Sequence, residues 1–359
     1  MALALRLARR GWGRVWPNPA VGCVIVNDGR VIGRGWTQPG GRPHAETEAL
    51  ARAGAASRGA TAYVTLEPCA HHGKTAPCAE ALIESGVARV VVAIADPDPR
   101  VDGDGIAMLR AAGVQVDIGA DAARARDVNA GYLRCAQSGR PLVNLKLAMT
   151  VDGRLATRSG QSRWITGDGA RARAHYLRAT HDAILVGSGT VLADDPRLDC
   201  RLPGMADRSP QPIVLDRRCR LRPSCRLLSP EDRRTPWIFG GRSPPEDWRN
   251  AMERAGAVVM DMPAGDSDAA DIRAVLAELG DRGVTRLLVE GGAAVAASFV
   301  AAGVVDRLSV FRAPRLLGGD ALGAIGALGL DRVEDGPVFR RESVVELGAD
   351  ILETYRADH

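Results

Sequence analysis

Three side chains in the first third of the chain have the chemistry to hold a borderline-soft cation together: His44, Cys69 and Cys78. The first stands in Pro43-His44-Ala45-Glu46. The other two bound the stretch Cys-Ala-His-His-Gly-Lys-Thr-Ala-Pro-Cys, which follows Glu67-Pro68. Three protein ligands leave one tetrahedral position for water, the arrangement of a catalytic zinc. A zinc held there would lower the pKa of its water enough to give a hydroxide nucleophile near neutral pH. Glu46, two residues from His44, is a carboxylate able to carry the proton onward.

The order H-x-E followed by P-C-x-x-C marks zinc-dependent removal of amino groups from nucleobases. His44-Ala45-Glu46 and Pro68-Cys69 fit it, but eight residues rather than two separate Cys69 from Cys78. Singly, each of these residues reads as a buried thiol or an ordinary histidine at a helix start. Taken together, in this order and with prolines at 43, 68 and 77, they point to zinc chemistry.

A second candidate comes from composition. Of 47 basic residues, only Lys74 and Lys146 are lysine. A bias towards arginine would replace lysine wherever charge alone matters, so the two lysines read either as chance survivors or as places that need a compact amine able to give up a proton. Lys74 lies inside the metal stretch and Lys146 opens the second half. Beyond it, two glycine turns stand out: Gly187-Ser188-Gly189-Thr190, running on to Asp194-Asp195, and Gly291-Gly292 after Leu287-Leu288-Val289-Glu290. Glycines at a strand-to-helix turn let backbone amides approach a phosphate. They serve equally well for close packing, and the usual G-x-G-x-x-G dinucleotide fingerprint is absent.

These residues need elements to position them. Residues 60 to 66 read as a strand that ends just before Cys69. Pro77 suits the first turn of a helix to Ser85, which sets Cys78 at a helix start where the dipole favours thiolate. A helix over 44 to 53 carries His44 and Glu46. Positions two apart do not share a helix face, so the pair must straddle the helix start. A short helix at 2 to 10, strands at 21 to 26, 30 to 35, 88 to 95 and 114 to 118, and helices at 104 to 112 and 121 to 137 complete a three-layer α/β domain.

Ser138-Gly139-Arg140-Pro141 reads as a linker, which divides the chain into domains at 1–140 and 141–359. The second domain begins with a strand at 142 to 148, whose alternation puts Asn144, Lys146 and Ala148 on one face. Helices at 168 to 179, 245 to 255, 269 to 280 and 293 to 302 follow. Strands fall at 183 to 187, 212 to 216, 236 to 239, 257 to 260, 285 to 290, 305 to 312 and 343 to 355, the last ones antiparallel.

The chain has 359 residues and a net charge of +4. Residues 1 to 140 hold 17 basic against 13 acidic side chains, and the remainder 30 against 30. Neither half has the excess of a phosphate-backbone binder, so nucleic acid is not the expected partner. No apolar run is long enough to span a bilayer, and the N-terminus carries no signal-peptide pattern. Seven cysteines without a disulfide framework fit a reducing cytoplasm. Cys200, Cys219 and Cys225 match no motif and read as free thiols.

These motifs together resemble the bifunctional riboflavin-biosynthesis deaminase–reductase family. P-N-P-x-V-G, H-A-E, T-L-E-P-C-x-H-x-G-x-T-x-P-C and G-S-x-T-V-x-x-D-D-P-x-L occur in the family's order, from the first helix to the last strands. The long loop between the cysteines is the family's own variant. The resemblance implies a cytidine-deaminase-like N-terminal domain and a dihydrofolate-reductase-like C-terminal domain. The first would deaminate a phosphoribosylamino pyrimidine, and the second would use NADPH to reduce the ribosyl side chain to ribityl. It makes His44, Cys69 and Cys78 the zinc ligands, Glu46 the proton shuttle, and Asn18, His71 and Lys74 the pyrimidine contacts. In the reductase it assigns NADPH to Ala148, Trp164, Thr190, Asp194, Arg217 and the turn Gly292, Ala293, Ala294, Val295, Ala296, Ala297 and Ser298. Ser162, Arg178, Leu198, Arg201 and Glu290 would hold the ribose phosphate substrate, with Lys146 at the reacting carbon. A homo-oligomer is expected.

Two rival readings differ in class. A nucleic-acid or tRNA base deaminase is disfavoured by the modest charge and the appended second domain. A non-catalytic scaffold built on structural zinc would need a fourth ligand, for which His71 or His72 is at hand.

Overall fold

The computed structural model describes residues 1–72, 76–98, 101–229, 234–263 and 265–358. The chain divides into two compact units, Met1–Arg140 and Pro141–His359.

In the first unit, helix α1 (Ala2–Ala8) precedes strands β1 (Gly22–Asn27) and β2 (Arg30–Trp36). Helix α2 (Ala45–Ala53), strand β3 (Thr61–Val64), helix α3 (Cys78–Glu84), strand β4 (Arg89–Val92), helix α4 (Asp104–Ala111) and strand β5 (Gln115–Ile118) follow. The unit ends with helices α5 (Ala122–Val128) and α6 (Ala130–Ser138). The sheet runs β2-β1-β3-β4-β5; β1 is antiparallel to both its neighbours, and β3, β4 and β5 are parallel. Val90, Val91 and Val92 are all buried, as the unbroken apolar run in β4 requires of a strand covered on both faces. Residues 121 to 137 do not form one helix. Asn129 leaves helical geometry at φ −97°, ψ 14°, ending α5 and starting α6.

What fixes α2 on the sheet is the absence of side chains. Gly33 and Gly35 on β2 face Ala45, Ala49 and Ala53 of the helix. A Cβ on Gly35 would lie 1.9 Å from the Ala45 carbonyl oxygen, and one on Gly33 2.2 Å from that of Ala49. Gly22 does the same for α1, where a Cβ would sit 2.0 Å from the Ala4 oxygen. The helices therefore pack at backbone contact, and the start of α2 is set by that contact.

The second unit opens with β6 (Leu142–Thr150) and β7 (Arg154–Ala156), then α7 (Asp168–Ala179), β8 (Ala183–Gly187), α8 (Ser188–Asp194) and β9 (Gln211–Leu215). After these come β10 (Trp237–Phe239), α9 (Glu246–Arg254), β11 (Val258–Met260), α10 (Asp268–Asp281), β12 (Arg286–Val289), α11 (Ala293–Ala301) and β13 (Arg307–Ala313). Strands β14 (Leu322–Gly323), β15 (Phe339–Leu347) and β16 (Asp350–Ala357) complete it. The main sheet has the order β11-β10-β9-β8-β12-β6-β13-β16-β15. It is parallel from β11 to β13, and β16 and β15 then add antiparallel. The expected strand at 343 to 355 is in fact this hairpin, turned at Gly348 with φ 76°. Its core gathers Ile184, Val186, Val214, Ile238, Met252 and Leu288. Asp182 ties β8 to β12: its buried carboxylate accepts from the Thr285 amide and hydroxyl and the Arg286 amide, at 2.9, 2.6 and 2.9 Å. Among the described residues, no helix is long and apolar enough to cross a membrane.

The glycine–helix contact gives a direct test. Gly35→Ala is expected to destabilise the protein by about 1–3 kcal/mol, the usual cost of overpacking, because backbone has to move. Chemical denaturation would measure it, and an unchanged midpoint would show that α2 is not seated by this contact.

Candidate active sites

In the first unit the chain converges on one point from three segments. His44 is the N-cap residue of α2, with extended backbone at φ −71°, ψ 162°, and Glu46 is in the first turn. This is how two positions that cannot share a helix face come to serve one site. Cys69 lies in the loop beyond β3, and Cys78 is the first residue of α3, with Pro77 as N-cap. His44 Nδ1 is 3.3 Å from Cys78 Sγ and 3.6 Å from Cys69 Sγ. All three ligand atoms lie within 4.8 Å of one another. Zinc–nitrogen and zinc–sulfur bonds of about 2.0 and 2.3 Å at a tetrahedral angle put N and S about 3.5 Å apart. The donor set and its spacing therefore fit zinc.

The electrostatics agree. Glu46 is 3% exposed, and burial, with the Cys69 charge behind it, pushes its carboxyl up to about 7. Cys69 is drawn down to about 4, first by the hydrogen bond from Cys78 and then, against burial, by His44. The amide at the start of α3 donates to Cys69 Sγ at 3.3 Å. The helix start thus favours thiolate at Cys69, whereas hydrogen bonding to Cys69 and burial raise Cys78 itself. A carboxylate and two thiols in a dry pocket with one imidazole form an anionic cluster that a divalent cation would neutralise.

Among the described residues the cluster takes in no fourth His, Cys, Asp or Glu. His72 instead sits 3.0 Å from Glu80, and His71 holds a buried Nδ1 that has no hydrogen-bond partner among the described residues. Asn18 lies against Gly41, whose missing Cβ leaves room for the Asn18 amide, 1.9 Å from where that carbon would be. Lys74 lies outside the described residues.

Glu67, within the T-L-E-P-C motif, was not singled out from the sequence. It is 3% exposed and accepts from the amides of Asp96, Gly103 and Ile106 at 3.2, 3.3 and 3.2 Å. It anchors the loop that presents Cys69. Its signal was its place in the motif, beside a cysteine that needs a fixed backbone.

In the second unit, the C-terminal ends of β9, β8, β12 and β6 open onto a cleft of about 1170 Å³. That exceeds the roughly 300–1,000 Å³ of a pocket for one small ligand. Lys146, Ala148, Ser162, Trp164, Arg178, Thr190, Asp194, Arg201, Arg217, Glu290, Gly292, Ala293, Ala294, Val295 and Ser298 all line it. Ala296 and Ala297 do not; the helical period turns them into the core, at 0 and 9% exposure. Leu198 is buried behind the wall in the same way.

At the cleft floor Glu290 is gripped by Arg178, whose Nε and an Nη donate at 2.8 and 2.9 Å, and approached by Lys146 Nζ at 3.5 Å. Burial alone would raise Glu290, but these two cations hold it well below the usual carboxylate range. Behind Lys146, Asn144 accepts from Ser309 at 3.0 Å and meets His181 Nε2 at 3.4 Å. His181 Nδ1 in turn faces the Leu177 carbonyl at 2.6 Å. Burial first, and Arg286 second, push His181 down to about 3, which keeps it neutral. Trp164 is stacked by Arg171 at 4.5 Å.

The glycine turns separate into two functions. A Cβ on Gly291 would meet Val295 at 2.4 Å, and one on Gly187 would meet it at 2.8 Å. These two glycines pack α11 against the sheet. Gly292, the N-cap of α11, would meet only Thr190, at 3.8 Å, so its surroundings are open for an anion. His175, Arg171, Arg218 and Arg220 also line the cleft and were not legible in the sequence, where they are four among many polar residues on helices and turns.

Known proteins share this arrangement. The sequence pattern of the cytidine and deoxycytidylate deaminase zinc-binding region matches residues 1–94, and that of the RibD C-terminal domain matches residues 141–352. The riboflavin biosynthesis protein RibD of Escherichia coli is 41% identical over 98% of this chain and 96% of its own length. The structure of RibD from Acinetobacter baumannii superposes with a TM-score of 0.90 at 37% identity, over 100% of this chain and 98% of that one. A diaminohydroxyphosphoribosylaminopyrimidine deaminase/5-amino-6-(5-phosphoribosylamino)uracil reductase from Thermotoga maritima does so with a TM-score of 0.87 at 34% identity, over 100% and 97%. The folds are thus a cytidine-deaminase-like domain and a dihydrofolate-reductase-like domain, with zinc and NADPH as their cofactors. The chain belongs to the RibD family, the bifunctional deaminase–reductases of riboflavin biosynthesis.

Proposed function

We propose that the first unit hydrolytically deaminates a phosphoribosylamino pyrimidine and that the second reduces the ribosyl side chain of the product to ribityl. The observation that carries this reading is the pairing, in one chain, of a three-ligand metal cluster beside a buried carboxylate with a cleft floored by Lys146 and Glu290. Adding the pyrimidine and NADPH together and following ammonia release alongside NADPH absorbance tests both halves. Ammonia without NADPH loss, or neither, would refute it.

His44, Cys69 and Cys78 hold the zinc. When bound, zinc supplies a water acidified to near neutrality. Glu46 carries a proton from the attacking water to the departing amino nitrogen, while Asn18, His71 and Lys74 hold the pyrimidine. A scaffold with a closed structural zinc is not favoured, since the described cluster has three members. A nucleic-acid deaminase is not favoured by a net charge of +4.

In the second unit NADPH supplies hydride to the sugar carbon. Ala148, Trp164, Thr190, Asp194, Arg217, Gly292, Ala293, Ala294, Val295 and Ser298 would hold it, and the open start of α11 suits a phosphate. Ser162 and Arg201 orient the phosphorylated sugar, Leu198 backs the wall from the core, and Arg178 fixes Glu290. Lys146 gives a proton to the substrate as the sugar ring opens to its imine, and Glu290 holds the ammonium in place for that transfer. The enzyme is read as cytoplasmic, which seven cysteines outside any disulfide, two of them in the metal cluster, support. It is read as a homo-oligomer, which the exposed edge strand β15, with Val344 and Val345 at 48 and 43% exposure, supports.

Two substitutions separate the roles. Glu46→Gln should retain zinc at full stoichiometry while ammonia release falls by about two to four orders of magnitude, the range for loss of general acid–base catalysis. Loss of zinc from that variant, measured by atomic absorption, would mean that the carboxylate is a ligand. Lys146→Arg should bind NADPH nearly normally and deaminate normally, yet lose most of its reductase turnover. A near-normal reduction rate would show that charge alone suffices at this position.

A further inference from the structure

Helix α4 begins without a cap of its own. Its N-cap residue is Gly103, in the left-handed conformation at φ 94°, which has no side chain to offer. The buried carboxylate of Glu67 takes that part from a distant segment. One oxygen accepts from the Ile106 amide at 3.2 Å, and the other from the Gly103 and Asp96 amides at 3.3 and 3.2 Å. Gly103 and Ile106 are the N-cap and N3 positions, the two donors that a capping box satisfies, and the positive end of the helix favours a carboxylate there. The third donor is steadied in turn. The Asp96 carboxylate accepts from the Tyr132 hydroxyl at 2.9 Å and the Asp98 amide at 3.0 Å.

Only Pro68 stands between Glu67 and Cys69, and its ring fixes its own φ. The Pro68 carbonyl is backed by α4, where a Cβ on Gly105 would lie 1.9 Å from the oxygen. On the far side, Cys69 is met by the start of α3. The Ala79 amide donates to the Cys69 carbonyl at 3.2 Å, and the Cys78 amide to its Sγ at 3.3 Å. Residues 67 to 69 are thus clamped between the first turns of two helices, with a stiff residue in the middle.

We propose that Glu67 is a positioning residue for the metal: by locking residues 67 to 69 onto α4 it holds Cys69 in its ligating place before zinc arrives, and so sets how tightly zinc is held. This rests on the site of His44, Cys69 and Cys78 proposed above. Glu67 is outside that three-member cluster and acts through the backbone of its neighbour. A ligand already fixed in place loses no further freedom when the metal binds, whereas a loose one does. A carboxylate suits this post because it only accepts. Glutamine would keep the size but turn an NH2 group toward amide donors, N–H against N–H. The rival role, a strut that merely ties α4 to the sheet, predicts lost stability with zinc binding unchanged in the molecules that remain folded.

The measurement is zinc affinity, by competition with a chromophoric chelator, on the reduced, metal-free full chain. Glu67→Gln should weaken zinc by about 10- to 100-fold, the scale for groups that orient metal ligands from behind. Glu67→Asp keeps the charge but withdraws it by one carbon; it should weaken zinc by less, and it carries the test if Glu67→Gln does not fold. Leu109→Ala is the control. Leu109 is 0% exposed on α4, so this change loosens the packing of the helix and leaves Glu67 and its donors in place. It should lower the denaturation midpoint while zinc binds as in the unsubstituted chain. Unchanged zinc affinity in the Glu67 variants would overturn the proposal. So would an equal loss in Leu109→Ala, which would reduce the effect to general destabilisation. If the unsubstituted chain holds no zinc, the site reading fails first and this proposal falls with it.

Discussion

A carboxylate taken out of water must be neutralised, protonated or paired with a cation, and each unit is built around one such group. Burying an ion costs several kcal/mol even after relaxation, so the partners are part of the fold. In the second unit the protein supplies both: Arg178 binds Glu290 through two nitrogens, and Lys146 approaches one of its oxygens. In the first, Glu46 is equally dry, and among the influences that favour its charged form the leading one is His44. The Cys69 thiolate beside it adds negative charge. The same physical demand is met by arginine and lysine in one unit and is suited to a divalent metal in the other.

This demand explains which parts of the sites were legible. His44, Glu46, Cys69 and Cys78 could be read because metal chemistry restricts both residue type and order, and the odd placement of His44 against Glu46 followed from helix geometry alone. The face shared by Asn144, Lys146 and Ala148 could be read because a strand alternates with period two. The uncommon lysine drew attention to a point on that strand that lines the cleft.

Other parts depend on which segments meet, and a single segment does not carry that information. Gly33 and Gly35 look like ordinary strand glycines until α2 is laid across them. Glu67 looks like a motif letter until three amides from beyond β4 point at it. The break at Asn129 and the turn at Gly348 were missed for a simpler reason: a continuous amphipathic or alternating pattern does not show where the backbone leaves it.

The geometry at Glu290 also bears on the lysine at position 146. Arg178 uses both oxygens of the carboxylate, at 2.8 and 2.9 Å, in the forked manner for which guanidinium is shaped. A second guanidinium could reach only the lone pairs that this fork leaves over. Lys146 makes a looser contact of 3.5 Å, and its amine lies 5.9 Å from the centre of the Phe311 ring. It is held by charge and little else, so its remaining hydrogens can turn toward the cleft. A compact donor that is steadied without being saturated suits the proton transfer proposed for Lys146.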